Sequence, residues 1–503
     1  YIFPGLFFFI KLNFFYMTNL IKIMLMIILI CVAFGLWAWC RWIGNKDEPP
    51  AFPGGLPLIG HAHLLIGDKL WNSVKELTYE SLRVGGVISV SIGPRTSYVI
   101  TDPDDYLAVA NTCLEKDGFY EFAKPWLGEG LVTGTVHRKL LNPAFSQVVL
   151  DGFLDVFNKQ ARRLVKDLEK EVGKGPFDHW VYTRHNALET ICVDFTDKTM
   201  LNSQYVNAAE QMFNVIVNRF QKFWLHNHFI YSWSSLRKKQ DGYLKILHNL
   251  SDTLFWVISL FIKTNEINQN DKKNISGLKF KPFMDLLLEL SIEKGAFNDR
   301  EIREHVDTMI VGGHDTSASV LMYSMLLVGS YPHVQERIFE ELNDVFGDDD
   351  RDATKYDLSQ LFYLEAVLKE TMRFYPIVPV TARYLDKNVK LRNCTLTKGR
   401  TCFMFVYGVH RHPMWGPDAD EFKPERWLDP ASLPKCPTAF AGFSMGRRIC
   451  IGKSYAYMSM KTTLAHLYRH YRVKGDHTKL KAKLDVMLKP VSGYYISIER
   501  RKK

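Results

Sequence analysis

The chain has 503 residues, 47% of them apolar, 13% aromatic and 23% charged, a balance that excludes intrinsic disorder and supports a large buried core. Its formal net charge of +10 favours anionic surfaces, but no basic stripe interleaved with aromatics accompanies it, so nucleic acid is not an expected partner. Eight cysteines at irregular spacings, none in a CxxC pair, exclude a disulfide framework and a zinc ribbon and point to a reducing compartment.

In chain order, residues 1–16 precede Met17 and are read as translated upstream sequence, outside the fold argument. From Ile23 to Cys40 every residue is uncharged and most are apolar, close to the minimum of about 17 needed to cross a bilayer as a helix. Trp37, Trp39 and Trp42 suit the interface, with Arg41 beyond. No small-residue cleavage site follows, so a retained anchor over residues 17–43 is expected rather than a cleaved signal. Lys22 on one side and Arg41 and Lys46 on the other leave the orientation open on charge alone. Residues 44–60, which include the repeated prolines and glycines of Pro49 to Gly60, predict an extended, stiff hinge. The globule then runs over residues 61–503.

Val87 to Ile92 and Ser97 to Thr101 are β-like runs separated by Gly93-Pro94, which predicts a hairpin. Beyond Thr101 most of the chain has helical periodicity. The polar stretch Thr264 to Gly277 predicts a surface loop. The longest helix is predicted from Asn298, with Glu301 completing a capping box, to Gly329, with Pro332 beyond. About 30 residues at 1.5 Å each give roughly 45 Å, enough to cross the globule. Inside it stand Gly312 and Gly313, each costing about 1 kcal/mol relative to alanine. Close approach of a flat group to the backbone is a compensating reason.

The strongest motif is Phe443-Ser444-Met445-Gly446-Arg447-Arg448-Ile449-Cys450-Ile451-Gly452, just before a helical run from Lys453. Glycines on both sides of Cys450 let the backbone turn tightly and aim amides at the sulfur, which favours a thiolate. Glu370 and Arg373 lie three apart on one helix face, a spacing that in isolation is a common surface pair. Within Gly312 to Ser317, Thr316 offers a hydroxyl and Asp315 an acid, the two groups a proton relay needs.

These motifs, in this order, resemble the cytochrome P450 superfamily, from the anchor to Tyr495. The resemblance implies a mainly α fold with small β-sheets, haem b between the long central helix and the cysteine loop, and Cys450 as the thiolate ligand of the iron. It makes Glu370-Thr371-Met372-Arg373 the ExxR motif, held with Arg426 of Pro424-Glu425-Arg426-Trp427 in a structural network. It makes Thr316 and Asp315 the relay, and assigns the cofactor environment to Phe443, Gly446, Gly312, Gly313, Arg448, Arg138 and Arg383. The wording VGGHDTSAS resembles family four and its insect relatives. Where many of those carry a glutamate that can be esterified to haem, this chain has Gly312, so noncovalent haem is expected.

One stretch departs from the pattern. Relatives carry GxxWxxHR, whose tryptophan and arginine hold a propionate; here Gly130 to Leu140 is several residues short, Arg138 matches the arginine, and the tryptophan has no counterpart. Trp126 lies upstream in a different context. The resemblance implies a monooxygenase on the cytosolic face of the endoplasmic reticulum membrane. Electrons would come from NADPH through cytochrome P450 reductase, with cytochrome b5 a further partner, and one oxygen atom of dioxygen would enter a small apolar, fatty acid-like molecule, hormone or xenobiotic. Arg447, Arg448 and Lys453 face an acidic reductase or solvent on this reading. Two alternatives stay open: a haem-thiolate isomerase or dehydratase, and a haem or ligand-binding protein impaired by the short stretch before Arg138.

Overall fold

The computed structural model of the chain describes residues 21–38, 47–134, 137–192, 203–267, 287 and 295–501. The upstream segment, Trp39, Trp42 and residues 268–277 of the polar stretch lie outside the described residues. Helix α1 (Ile21–Ala38) has a mean hydropathy of 2.5 over its 18 residues, none of them buried. At 1.5 Å per residue it is roughly 27 Å long, close to the thickness of a bilayer's hydrocarbon core.

Helix α2 (Leu70–Arg83) buries Leu70, Trp71, Val74 and Leu77 on one face, the spacing of an amphipathic helix. Strands β1 (Val87–Ile92) and β2 (Arg95–Ile100) pair antiparallel with Ile92 opposite Arg95, so Gly93-Pro94 forms the two-residue turn. The stretch expected to be an extended hinge is instead broken by turns, with Leu56 paired to Gly60, and from Pro50 onward it is part of the globule. Phe52 N donates to Ser89 O at 2.8 Å, Ser89 N to Pro50 O at 2.8 Å and His61 N to Ser91 O at 2.6 Å. The residues between the prolines keep their N–H groups, so the segment docks along β1 as a partial strand.

Strands β3 (Val380–Tyr384), β4 (Val389–Lys390), β5 (Thr395–Leu396) and β6 (Thr401–Phe405) follow late in the chain. The largest sheet has the order β1-β2-β6-β3, with β2 parallel to β6. Strands β7 (Tyr471–Lys474), β8 (Lys481–Leu484), β9 (Leu488–Ser492) and β10 (Ser497–Arg500) form the pairs β7–β10 and β8–β9. The remaining framework is helical. It includes α3 (Pro103–Thr112), α4 (Arg138–Leu141), α5 (Leu154–Leu168), α6 (His179–Cys192), α7 (Ser203–Gln221) and α8 (Ser235–Ile267). Helix α8 continues through Thr264–Ile267, where a loop was expected, because no glycine or proline interrupts the chain between Tyr243 and Ile267.

Helix α9 (Asp299–Ser330) is the long central helix. Its start is fixed reciprocally: Glu301 N donates to Asn298 Oδ1 at 3.0 Å and Asn298 N to Glu301 Oε2 at 2.9 Å. Every residue from Ser317 to Gly329 is buried, as expected of a helix surrounded by other elements. It ends at Tyr331, whose backbone leaves the helical region ahead of Pro332. Helices α10 (Pro332–Phe346), α11 (Phe362–Phe374) and α12 (Lys453–His470) complete the core. The expected class, mainly α with small sheets, is the one found.

Candidate active site

The cysteine loop folds back on itself before α12. Gly446–Arg448 makes one 3-10 turn, Ile449 N donates to Gly446 O at 3.1 Å, and Cys450 N donates to Phe443 O at 2.9 Å. The Phe443 ring packs on Tyr457 with centroids 5.2 Å apart. Gly446 has φ +73°, and a Cβ there would lie 2.8 Å from Asn111 Oδ1 and 2.9 Å from Ala110 Cβ. Its smallness therefore serves the turn and the seat on α3. The Cys450 sulfur is accessible, yet protein surrounds it, and desolvation raises its pKa against the opposing Gly452 N–H and Arg138. Both statements hold for a thiol on the wall of an internal cleft.

Four cations gather beside this loop from distant parts of the chain. Arg138 donates to the Ile449 carbonyl, and Arg448 Nη2 donates to Gly134 O at 2.9 Å. Arg383 is 1% exposed; it donates to Ala382 O at 3.0 Å, and its Nε has no partner. Lys116, bridged by its backbone to Arg383, has its pKa pushed well down by burial and by Arg383, Arg448 and Arg138. Among the described residues none of the four forms an ion pair. Cations left uncompensated in a low-dielectric site are costly, and a dianionic group restores the balance. Haem, with its two propionates and an iron that accepts a thiolate, fits this donor set. Arg448 is thereby turned inward, which corrects its placement on an outer surface; Arg447 and Lys453 are exposed.

Lys116 was missed because Glu115-Lys116-Asp117 reads as an ordinary solvated charge run, and its nearness to Arg383 is a non-local pairing with no sequence signature. Trp126 is 1% exposed and packs on Phe213.

On α9, Thr316 Oγ1 donates to Gly312 O at 2.6 Å, so the hydroxyl's lone pairs remain available on the half-exposed side. A Cβ at Gly312 would meet nothing within 4 Å, whereas one at Gly313 would lie 2.7 Å from Ile191 Cδ1. Gly312 thus fronts open space, while Gly313 makes room for Ile191 of α6.

Asp315 points elsewhere than its neighbour. It is 1% exposed, with Lys489 Nζ at 3.4 Å, Arg184 Nε at 3.8 Å and His314 Nδ1 at 3.9 Å. Successive helical residues diverge by about 100°, so Thr316 can face the cleft only if Asp315 turns toward α6 and β9. Burial alone would raise the Asp315 pKa, but Lys489, His314 and Arg184 together hold it below the usual carboxylate range. The expected free acid beside Thr316 is therefore an ion-paired carboxylate. Lys489→Met is expected to raise that pKa and to cost about 3 kcal/mol at neutral pH, the lower end of the scale for breaking a buried ion pair. The sign follows from linkage: stability from a depressed carboxyl is present above its unfolded pKa and fades as pH falls through the folded one. The gap between wild-type and variant unfolding midpoints should therefore narrow on acidification; a constant gap from neutral to acid pH contradicts it.

The Glu370 network is assembled in the core. Arg373 donates to both Glu370 oxygens at 2.8 Å, Arg426 Nε donates to Oε1 at 3.0 Å, and all three residues are at most 2% exposed. Trp427 Nε1, at 2.9 Å, and Lys423 N, at 3.0 Å, also donate to the carboxylate.

A family model described as "Cytochrome P450" matches residues 49–497. Among curated proteins, the chain is 33% identical over 476 residues to human "Cytochrome P450 4V2", covering 90% of each chain. It is 33% identical over 500 residues to the mouse protein of that name, covering 94% of each. With "Cytochrome P450 4c3" of Drosophila melanogaster it shares 29% identity over 474 residues, covering 89% of each.

Proposed function

Because the chain belongs to the cytochrome P450 family, and is accordingly a haem-thiolate monooxygenase whose haem b is held noncovalently, we propose that Cys450 is the thiolate ligand. We propose further that Arg138, Arg383, Arg448 and Lys116 hold the propionates, and that Thr316 and Asp315 serve proton delivery. The observation that carries this reading is the gathering of Arg138, Arg383, Arg448 and Lys116, none of them in an ion pair among the described residues, beside the loop that bears Cys450.

When bound, the haem supplies reductive activation of dioxygen. The chain's own part is positioning and charge. The Gly452 N–H and Arg138 favour the anionic form of Cys450. Thr316 Oγ1, anchored by its bond to the Gly312 carbonyl, presents an acceptor to the cleft and can pass on a proton it receives there. Asp315, ionised among Lys489, Arg184 and His314, carries no proton in this arrangement and would have to leave those partners to exchange one with Thr316. Gly312 has no side chain to form an ester.

The finer reading is that the substrate is long and apolar, in the fatty acid class, and that electrons come from NADPH through cytochrome P450 reductase, with cytochrome b5 assisting. Half-buried Val311, Val378 and Val380 suit such a ligand. Residues 17–43 would anchor the globule to the endoplasmic reticulum, cytosol-facing. Exposed Phe223, Trp224, Phe229 and Trp233, next to Ile66 through the Gln221 bond to Gly67 O at 3.0 Å, support a lipid-facing edge.

The test reconstitutes full-length holoprotein with the reductase in phospholipid vesicles. Binding spectra and NADPH-dependent product are measured with a long-chain fatty acid. Reductase-dependent oxygenated product is expected. Turnover of a fatty hydroperoxide without reductase, and none of the fatty acid with it, overturns the reading in favour of an isomerase.

A further inference from the structure

Where α4 begins, two imidazoles from distant parts of the chain meet. His137 Nδ1 lies 3.0 Å from His305 Nε2, the rings standing nearly perpendicular at 71°. Both lie edge-on to Phe297, at 4.9 and 5.3 Å between centroids. His305 belongs to α9 and is 1% exposed. His137 is the N-cap residue of α4, and its carbonyl receives Leu140 N at 3.0 Å and Leu141 N at 3.3 Å. The next residue, Arg138, reaches the carbonyl of Ile449, the neighbour of Cys450.

The bond has one favoured proton arrangement. Glu301, 4.0 Å from His137 Nε2, is too far to fix it, but buried His305 Nδ1 has no partner among the described residues, and a bare lone pair there costs less than an orphaned N–H. His137 Nδ1 is then the acceptor and His305 Nε2–H the donor. Burial and His137 push the His305 pKa down to about 4, against Glu304 and Glu301. His305 is thus neutral through the physiological range and available as a donor.

We propose that His305 is a positioning residue: through His137 it fixes the first turn of α4 and so holds Arg138 against the cysteine loop. The inference rests on the reading of Arg138 as a cofactor-binding arginine. It also accounts for how the short stretch before α4 keeps its grip without the tryptophan of the family motif. A side chain on the rigid central helix takes over the anchoring.

The test measures haem loss from full-length holoprotein by transfer to excess apomyoglobin. His305→Leu is expected to speed loss about fivefold to tenfold, the scale of one buried hydrogen bond. His305→Gln, whose amide can donate to His137 Nδ1, should restore the wild-type rate. In an Arg138→Leu background, His305→Leu should add nothing, because residues acting in series are not additive. Unfolding of the apoprotein supplies a readout independent of haem. Equal acceleration in both backgrounds, or no acceleration at all, overturns the proposal, the first outcome marking His305 as a general packing residue. Arg138→Leu alone, if it leaves haem loss unchanged, sinks the underlying reading of Arg138 instead. Should His305→Leu not fold, His305→Asn, whose amide is too short to reach His137, carries the same comparison.

Discussion

Cys450→Ser is expected to abolish the strongly red-shifted Soret band of the reduced carbon monoxide complex, and with it reductase-dependent oxygenation. The physical ground is the ionisation of the ligand. A thiol titrates near pH 8.5 in water; burial raises the Cys450 value, with the Gly452 N–H and Arg138 opposing, and binding to iron would supply the rest of the stabilisation of its anion. A serine hydroxyl has no comparable anionic form, and the same surroundings cannot supply the difference. The cationic cluster at Arg138, Arg383, Arg448 and Lys116 is untouched, so the variant should still take up haem and show an unshifted band. Cys436→Ser is the control. That thiol is half-buried, 2.6 Å from Thr438 Oγ1 and 3.2 Å from Asp104 Oδ1, and its loss should leave the spectrum intact. A red-shifted band that survives Cys450→Ser would assign the ligand to another residue.

Sequence reading went furthest where the signal is local. The capping box at Asn298 and Glu301, the Gly93-Pro94 turn and the tight loop before Cys450 each depend on residues within a few positions, and each is in the structure as read. It stopped where function depends on juxtaposition. Of the cationic cluster, Arg138, Arg383 and Arg448 were reached through the family resemblance, whereas Lys116, brought in by its bridge to Arg383, has no spacing rule to reveal it. Asp315 shows a subtler limit. Its identity beside Thr316 suggested a pair acting together, but helical geometry turns adjacent side chains apart, and the partners that decide its charge, Arg184 and Lys489, lie far away in sequence. The glycines divide in the same way. Gly312-Gly313 as a pair suggests a single role, yet Gly312 fronts space while Gly313 makes room for Ile191. The His137–His305 contact was invisible because a histidine pair 168 residues apart carries no pattern.

The ExxR motif occurs twice, and the contrast yields the second large prediction. Glu80 and Arg83 on α2 have the spacing of Glu370 and Arg373 and the same two-pronged geometry, at 2.8 and 2.7 Å. There the Arg83 side chain is 70% exposed; at Glu370 and Arg373 both side chains are 0% exposed. Five hydrogen bonds converge on the buried Glu370 carboxylate, and burial, which would raise its pKa, is overcome by Arg373 and Arg426. Arg373 further donates to His410 O, Ala419 O and Glu421 O, and Arg426 to Asp418 O, so the network ties α11 to the segment before the cysteine loop. Glu370→Gln leaves two buried guanidinium groups short of one negative charge and sets an amide N–H₂ against their donors. Breaking a buried pair in this way costs about 3–5 kcal/mol, a large part of the roughly 5–15 kcal/mol that holds a domain folded. The expected result is a steep fall in soluble holoprotein and a much lower unfolding midpoint. Glu80→Gln should leave both unchanged, since exposed pairs contribute little. Equal effects of the two substitutions would mean that the motif acts through its local geometry and not through the buried charge network.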